Sequence, residues 1–217
     1  MIKAILWDND GVLVNTETLF YEANREMFRP HGIELSERHF YDWYLADNCG
    51  AWHLLAERGM GKEEMGAMRA VRDQRHSARL AAEGPLAMPG IAQVLERFSE
   101  RVPMGIVTGS RRDHFDIIHG PLDLLRHFRF AVTAEDYEHS KPSPEPYLLG
   151  LEKLGLPASE CLAIEDSPRG LQAALAAGLT CIAIRGPLTR DCPFTGAWRV
   201  VTTMDELQSE IAALIDG

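Results

Sequence analysis

The sequence has no cysteines at Cys-x-x-Cys spacing; its four, Cys49, Cys161, Cys181 and Cys192, are scattered along the chain. That scatter argues against a disulfide framework or a zinc site and favours buried free thiols in a reducing compartment. Positive charge is scarce too: 22 Lys and Arg stand against 32 Asp and Glu, a net charge of −10. A general nucleic-acid or anionic-membrane surface is therefore not expected. No charged-then-apolar leader opens the chain. Its longest mostly apolar stretch, 173–184, is interrupted by Gly178 and Thr180 and falls short of the roughly 20 residues of a membrane span. A cytoplasmic protein without membrane or nucleic-acid partners is expected. Eight histidines show no metal-ligand spacing.

What is present is ordinary globular material. The 217 residues, 46% hydrophobic and 25% charged, suffice for one domain with a sizeable insertion. Residues 2–7 form an apolar run of strand length ending in Asp8-Asn9-Asp10-Gly11. Two carboxylates this close repel as anions unless a cation or a shared proton lies between them. Alone, the pair also fits a plain turn or a helix-start cap.

From Thr16 to about Glu83 no strand-like alternation occurs. Helices are expected over 17–29, 36–44, 50–58 and 62–82. After Gly84-Pro85 and Met88-Pro89-Gly90 the pattern alternates. Strands are expected at 102–107, 130–133, 161–164, 180–184 and 199–201, with helices between them at 91–99, 111–126 (broken near Gly120-Pro121), 144–154 and 168–177 and a last one at 204–215. This predicts an α/β chain: a doubly wound, Rossmann-like parallel sheet with an inserted all-helical block. Residues 1–15 and 85–217 would make the core and 16–84 the insertion. Val14–Thr16 and Gly84–Gly90 would be the two hinge strands.

Open parallel sheets bind ligands beyond the carboxyl ends of their strands. Those ends here carry Asp8 and Asp10, then Thr108-Gly109-Ser110, then Ser140-Lys141-Pro142 after Glu135 and Asp136, then Glu165-Asp166-Ser167. Singly, each has a bland reading as a helix cap, a solvated loop lysine or a helix N-terminus. Together on one rim they suggest a site. Carboxylates without His or Cys suit Mg2+. A carboxylate can attack phosphorus, and a second one two residues on can shuttle the proton. Thr108 and Lys141 would neutralise a transferring phosphoryl group.

Four stretches resemble, in order and spacing, the four motifs of the haloacid dehalogenase superfamily. They are Asp8-Asn9-Asp10-Gly11-Val12-Leu13, Val107-Thr108-Gly109-Ser110, Ser140-Lys141-Pro142-Ser143-Pro144 and Glu165-Asp166-Ser167-Pro168-Arg169-Gly170. The helical block resembles that family's cap between motifs one and two. The resemblance implies Asp8 as nucleophile and Asp10 as general acid/base. It implies Thr108, Gly109, Ser110 and Lys141 around phosphate, and Mg2+ held by Asp8, the Asp10 carbonyl and Asp166, with Glu165 assisting. The implied activity is hydrolysis of a small phosphorylated metabolite, such as a sugar phosphate, through an aspartyl-phosphate.

Departures narrow this. Asp10 favours phosphate esters over dehalogenation. The rival is a β-phosphoglucomutase-like reaction. Its histidine after motif one is replaced here by Phe20, and its Gly-x-Ser-Arg patch is missing near Asp47–Trp52. Asn15 stands where an aspartate is usual. A phospho-acceptor signalling module is disfavoured because its acceptor lies on a middle strand and it lacks the insertion. Among cap residues, Trp43, Trp52, Arg72 and Arg75 are candidates to face the site, although helix packing or exposure is the commoner role for each taken singly. Arg111 and Arg112 read as solvated first-turn residues, and Met65 and Met68 as cap core.

Overall fold

The computed structural model describes residues 1–217. Its strands are β1 (Ala4–Trp7), β2 (Met104–Val107), β3 (Ala131–Val132), β4 (Cys161–Glu165), β5 (Thr180–Ile184) and β6 (Arg199–Val201). They pair in the order β3-β2-β1-β4-β5-β6, and every pairing is parallel. Helices α5 (Ile91–Ser99), α6 (Arg112–His119), α7 (Glu145–Leu154), α8 (Pro168–Ala176) and α9 (Met204–Asp216) complete this part. The crossovers place them on both sheet faces, so the central strands are apolar throughout rather than alternating.

Period-two geometry divides each strand between two cores. Ile5 and Trp7 of β1 join Phe98, Phe115 and Ile211 beneath α5, α6 and α9. Ala4 and Leu6 join Tyr147, Leu171 and Ala174 beneath α7 and α8. The second face is lined by small residues, among them Ala163, Ala173 and Cys181. Helix α7 sits close enough that a Cβ on Gly150 would lie 3.0 Å from both Leu6 and Val107.

Between β1 and β2 lie α1 (Glu17–Phe28), α2 (Glu37–Phe40), α3 (Trp52–Glu57) and α4 (Lys62–Ala82). They enclose a separate core containing Phe28, Phe40, Leu45 and Leu55, with Met65 and Met68 packed against it. The inserted helical cap thus buries its own apolar residues. Two antiparallel segments join it to the sheet domain. Val14 bridges Ala87, Asn15 N donates to Leu86 O at 2.8 Å and Met88 N to Leu13 O at 2.9 Å. The Asn15 side chain is exposed. The hinge contact is therefore made by its backbone, whatever its side chain.

One expected element differs in detail. Ser36 caps α2 by accepting from His39 N, but the helix widens into a π turn over Tyr41–Ala46, and Phe40 stacks on Tyr44 at 4.8 Å. The break expected near Gly120-Pro121 is present: α6 ends at His119, and a 3-10 turn follows at Leu125–His127. All four cysteines are free and only Cys49 is exposed. No helix is long and apolar enough to cross a membrane.

Gly150→Val forces two further methyl groups against Leu6 and Val107. It should lower the unfolding free energy by about 1–3 kcal/mol, read as a reduced urea midpoint at unchanged slope.

Candidate active site

Strand order reverses at β1, which lies between β2 and β4. The crevice beyond the carboxyl ends of these strands is the place where such a sheet accepts a ligand. A cavity of about 360 Å³ opens there between sheet and cap, lined by Asp8, Asp10, Gly109, Ser110, Lys141 and Asp166 among others. Thr108 and Glu165 are fully buried beneath it.

The fixed point is Lys141, 3% exposed. Its Nζ donates to Asp8 Oδ1 at 2.7 Å, to Glu165 Oε1 at 2.6 Å and to the Val107 carbonyl at 2.9 Å. Glu165 Oε1 also accepts from Tyr147 OH at 2.7 Å, and Oε2 from Ser167 Oγ at 3.2 Å. Burial would lower the lysine pKa, but the Asp8 and Glu165 carboxylates outweigh it and hold the ammonium above its ordinary value.

Asp10 is held differently. Thr16 Oγ1 donates to its Oδ1. Its Oδ2 accepts from Ser110 Oγ at 2.5 Å, Thr108 Oγ1 at 3.2 Å and Asn9 Nδ2 at 3.3 Å. Thr108 Oγ1 also accepts from Ser110 N at 3.0 Å. Asn9 in turn meets a buried histidine, His119, whose Nε2 lies 2.7 Å from Asn9 Oδ1. Two carboxylates two residues apart thus occupy opposite environments. One is paired with a buried ammonium, the other is fixed by neutral donors.

Negative charge accumulates here. Burial, with Glu165 adding to it and Lys141 opposing, pushes Asp8 up to about 7. Burial, then Glu17 and Asp8, raises Asp166 well above the carboxylate range. Burial, then Asp10, lifts Glu17 to about 8, partly offset by Arg169. Asp166 lines the cavity, and no protein group donates to its carboxylate. Asp8, Glu165 and Asp166 offer oxygens that all lie within 4.8 Å of one another. Gly11, at φ 76°, makes room: a Cβ there would stand 1.8 Å from Asp166 Oδ2. An all-oxygen anionic cluster with an unsatisfied member fits a hard divalent cation.

A sequence model of haloacid dehalogenase-like hydrolases matches residues 2–178. The chain belongs to that family. Protein CbbY of Cupriavidus necator, plasmid-encoded, is 30% identical over 221 residues, covering 92% of this chain and 85% of its own. Hexitol phosphatase A of Escherichia coli is 31% identical over 186 residues, covering 85% and 84%. Among solved structures, a CbbY variant from Rhodobacter sphaeroides in complex with xylulose-(1,5)bisphosphate superposes with a TM-score of 0.78 at 26% identity, covering 93% of this chain and 94% of that one. The chain is accordingly an enzyme of the haloacid dehalogenase-like hydrolases, of their phosphatase type.

In this family member the cap supplies the cavity's other wall. Phe20 packs edge-on against Phe40, Tyr44 and His76, with the Arg72 guanidinium 5.0 Å above its ring. Of the cap candidates, Trp52 and Arg72 line the cavity. Trp43 instead stacks on His39, and Arg75 is exposed away from it. Arg111, expected to be solvated, is half exposed yet crosses to Asp73 of α4 at 3.6 Å.

Several lining residues escaped the sequence reading: Glu17, Asn48, His76, His114 and Arg169. Glu17 reads in sequence as an ordinary first-turn acid and Arg169 as a variable position in a helix start. Asn48 is legible only through its backbone, φ 55°, which sequence does not announce. Its Nδ2 donates to Ser140 Oγ at 2.9 Å and to the Lys141 carbonyl at 3.3 Å, and its Oδ1 accepts from Arg169 Nη1 at 2.6 Å. One cap side chain is thereby fastened to two loops of the sheet domain.

Asn48→Gly keeps the left-handed backbone and removes all three bonds. Backbone amides of 47–52 should then exchange at least about tenfold faster, for the loss of about 1.4 kcal/mol of local protection, while amides of β1 and β4 are unchanged. Hydrogen exchange followed by mass spectrometry reads both.

Proposed function

We propose that this phosphatase hydrolyses a small organic phosphomonoester, of the sugar-phosphate kind, through a phosphorylated Asp8. The observation that carries the reading is the contrast between Asp8 and Asp10 on the cavity floor. The cap over 16–84 closes on the core formed by 1–15 and 85–217 and excludes water from the transfer.

In this mechanism an Asp8 carboxylate oxygen attacks phosphorus as the bond to the leaving oxygen breaks. Asp10 gives its proton to that oxygen, and Thr16 beside it orients the donor. After the leaving group departs, Asp10 takes a proton from water, whose oxygen attacks phosphorus and releases Asp8 and inorganic phosphate. Lys141 stays paired with Asp8 and Glu165 throughout and neutralises the phosphoryl oxygens, aided by the amide of residue 109 and by Ser110, whose hydroxyl would turn from Asp10 to the phosphoryl group. Thr108 acts from below by fixing Asp10. Asp8, Asp166 and the Asp10 carbonyl would hold Mg2+, with Glu165 serving chiefly to anchor Lys141. When bound, the ion supplies charge neutralisation for carboxylates and phosphoryl oxygens.

Family membership, the relatives named as a hexitol phosphatase and as CbbY, and the phosphorylated sugar bound by the latter all support this substrate class. The resemblance to a β-phosphoglucomutase would call for a histidine where this chain has Phe20, which favours hydrolysis. Exchange of phosphate between sugar positions without net release would reverse that preference.

Asp8→Asn keeps the shape of the floor and removes the nucleophile. Phosphate release from 4-nitrophenyl phosphate with Mg2+ should fall at least about a thousandfold, and equal rates for the two proteins would sink the assignment.

A second outcome follows from charge. In the unfolded chain these carboxylates ionise near 4, whereas the folded, cation-free cluster keeps protons on Asp8 up to about 7 and on Glu17 up to about 8. Their contribution to stability therefore declines as pH rises from about 4 through 8. Mg2+ should raise the melting temperature more at pH 8 than at pH 6, where protons already relieve the repulsion, and EDTA should reverse the rise. An identical shift at both pH values, or none, would contradict a cation in this cluster.

A further inference from the structure

The mechanism leaves two buried histidines without a task. His76 on α4 of the cap is 5% exposed and His114 on α6 of the core 7%, and both line the cavity. Their rings meet edge to face with centroids 5.1 Å apart, and Phe20 closes the far side of His76 at 5.3 Å. His76 Nδ1 and His114 Nε2 are enclosed without a hydrogen-bond partner. His119, equally buried, also has an unpaired Nδ1, but it does not line the cavity and its Nε2 is bonded to Asn9, whereas neither ring of the cavity pair makes a side-chain hydrogen bond.

Buried polar groups left unpaired are destabilising and rare, and next to a cavity they point to a missing partner. The partner's chemistry follows from the rings. Burial, with His114 adding to it, holds His76 down at about 4, so near neutral pH it is an uncharged imidazole with one N–H donor and one lone pair. An anion offers only acceptors, and the cavity's cations, Lys141, Arg69, Arg72, Arg111 and Arg169, already supply charged donors for it. A hydroxyl donates and accepts, as the imidazole does. No carboxylate oxygen groups with either ring as a metal-binding set; the one such cluster is Asp8, Glu165 and Asp166.

We propose that His76 and His114 bind a hydroxyl of the leaving group, so that the substrate itself joins cap to core and polyhydroxylated phosphate esters are preferred over alkyl ones. This rests on the phosphatase reading and adds to it the residues that select the leaving group. The pair differs in kind from the motif residues: it touches neither phosphorus nor the nucleophile, and it takes one ring from the cap and the other from the core. A substrate lacking the hydroxyl would leave both rings unsatisfied after closure, a penalty falling on specificity more than on binding of the phosphate itself.

The test pairs polyol phosphates of three, five and six carbons with alkyl phosphates of equal carbon count. Substrates are compared by kcat/KM with wild type, His76→Leu, His114→Leu and the corresponding glutamine variants. Wild type should favour at least one polyol ester by about tenfold or more, the worth of one hydrogen bond used in discrimination. Each leucine variant should lose most of that ratio, through the polyol ester, and glutamine, whose amide both donates and accepts, should restore part of it. A wild-type ratio near one across the series, or leucine variants that keep the full ratio, overturns the assignment.

Calorimetric binding of the same ester pairs to Asp8→Asn protein separates this from the parent reading and serves if a leucine variant does not fold. Discrimination in binding without any hydrolysis by wild type refutes the phosphatase reading and keeps the histidines. Hydrolysis without discrimination in either measurement refutes the histidines alone. Neither hydrolysis nor discrimination refutes both.

Discussion

One ammonium group ties the carboxyl ends of three adjacent strands. Lys141 Nζ reaches the carbonyl that ends β2, the carboxylate that follows β1 and the carboxylate that ends β4. With so little exposure, neither the lysine nor its acid partners is stable without the others. Removing one member of a buried ion pair leaves an uncompensated charge that typically costs about 3–5 kcal/mol. Tyr147 adds a second donor to Oε1 of Glu165 and Ser167 supplies one to Oε2, so both oxygens of that charge are hydrogen-bonded. The arrangement aims Asp8 and at the same time fixes the strand ends on which every other site residue stands.

The acidic composition and an anionic substrate are reconciled by segregation. The net charge of −10 belongs to the whole surface, while the cavity gathers one lysine and four arginines opposite its carboxylates. Electrostatic steering depends on the local field inside a low-dielectric cleft, so overall charge is a poor guide to what such a cleft admits.

The sheet domain was legible in the sequence because its signals are local. Apolar runs of strand length, glycine and proline punctuation and polar residues at strand ends each sit within a few positions. The β5 and β6 limits and helix α4 match their expected spans. The gathering of Asp8, Asp10, Gly109, Ser110, Lys141 and Asp166 on one cavity also follows from topology, since parallel strands put their carboxyl ends on one side. What escaped were residues whose role is set by distant partners. His76 and His114 have no distinguishing neighbours in the chain, and only the packing of α4 on α6 makes them a pair. The left-handed backbone of Asn48 and the π turn before it belong to cap packing, which helical periodicity does not encode. Glu165 and Thr108, read as facing the ligand, are fully buried, and the cavity is lined instead by the next residue in one case, Asp166, and by Gly109 and Ser110 in the other.

The position of β1 in the sheet has a consequence for how the molecule assembles. This strand is first in the chain and central in space, paired at Ile5 with both Met104 and Leu162. The helical insertion, by contrast, closes its buried core among residues between Tyr21 and Leu55, far closer in sequence than the partners of β1. Loop-closure entropy and contact order favour the insertion as the earlier structure, with the sheet forming only after residues far downstream are available. Folding of the cap would shorten the effective chain between β1 and β2, because its two ends emerge side by side at Val14 and Ala87. The element that closes over the substrate would then also be the one that brings the two halves of the floor within reach of each other.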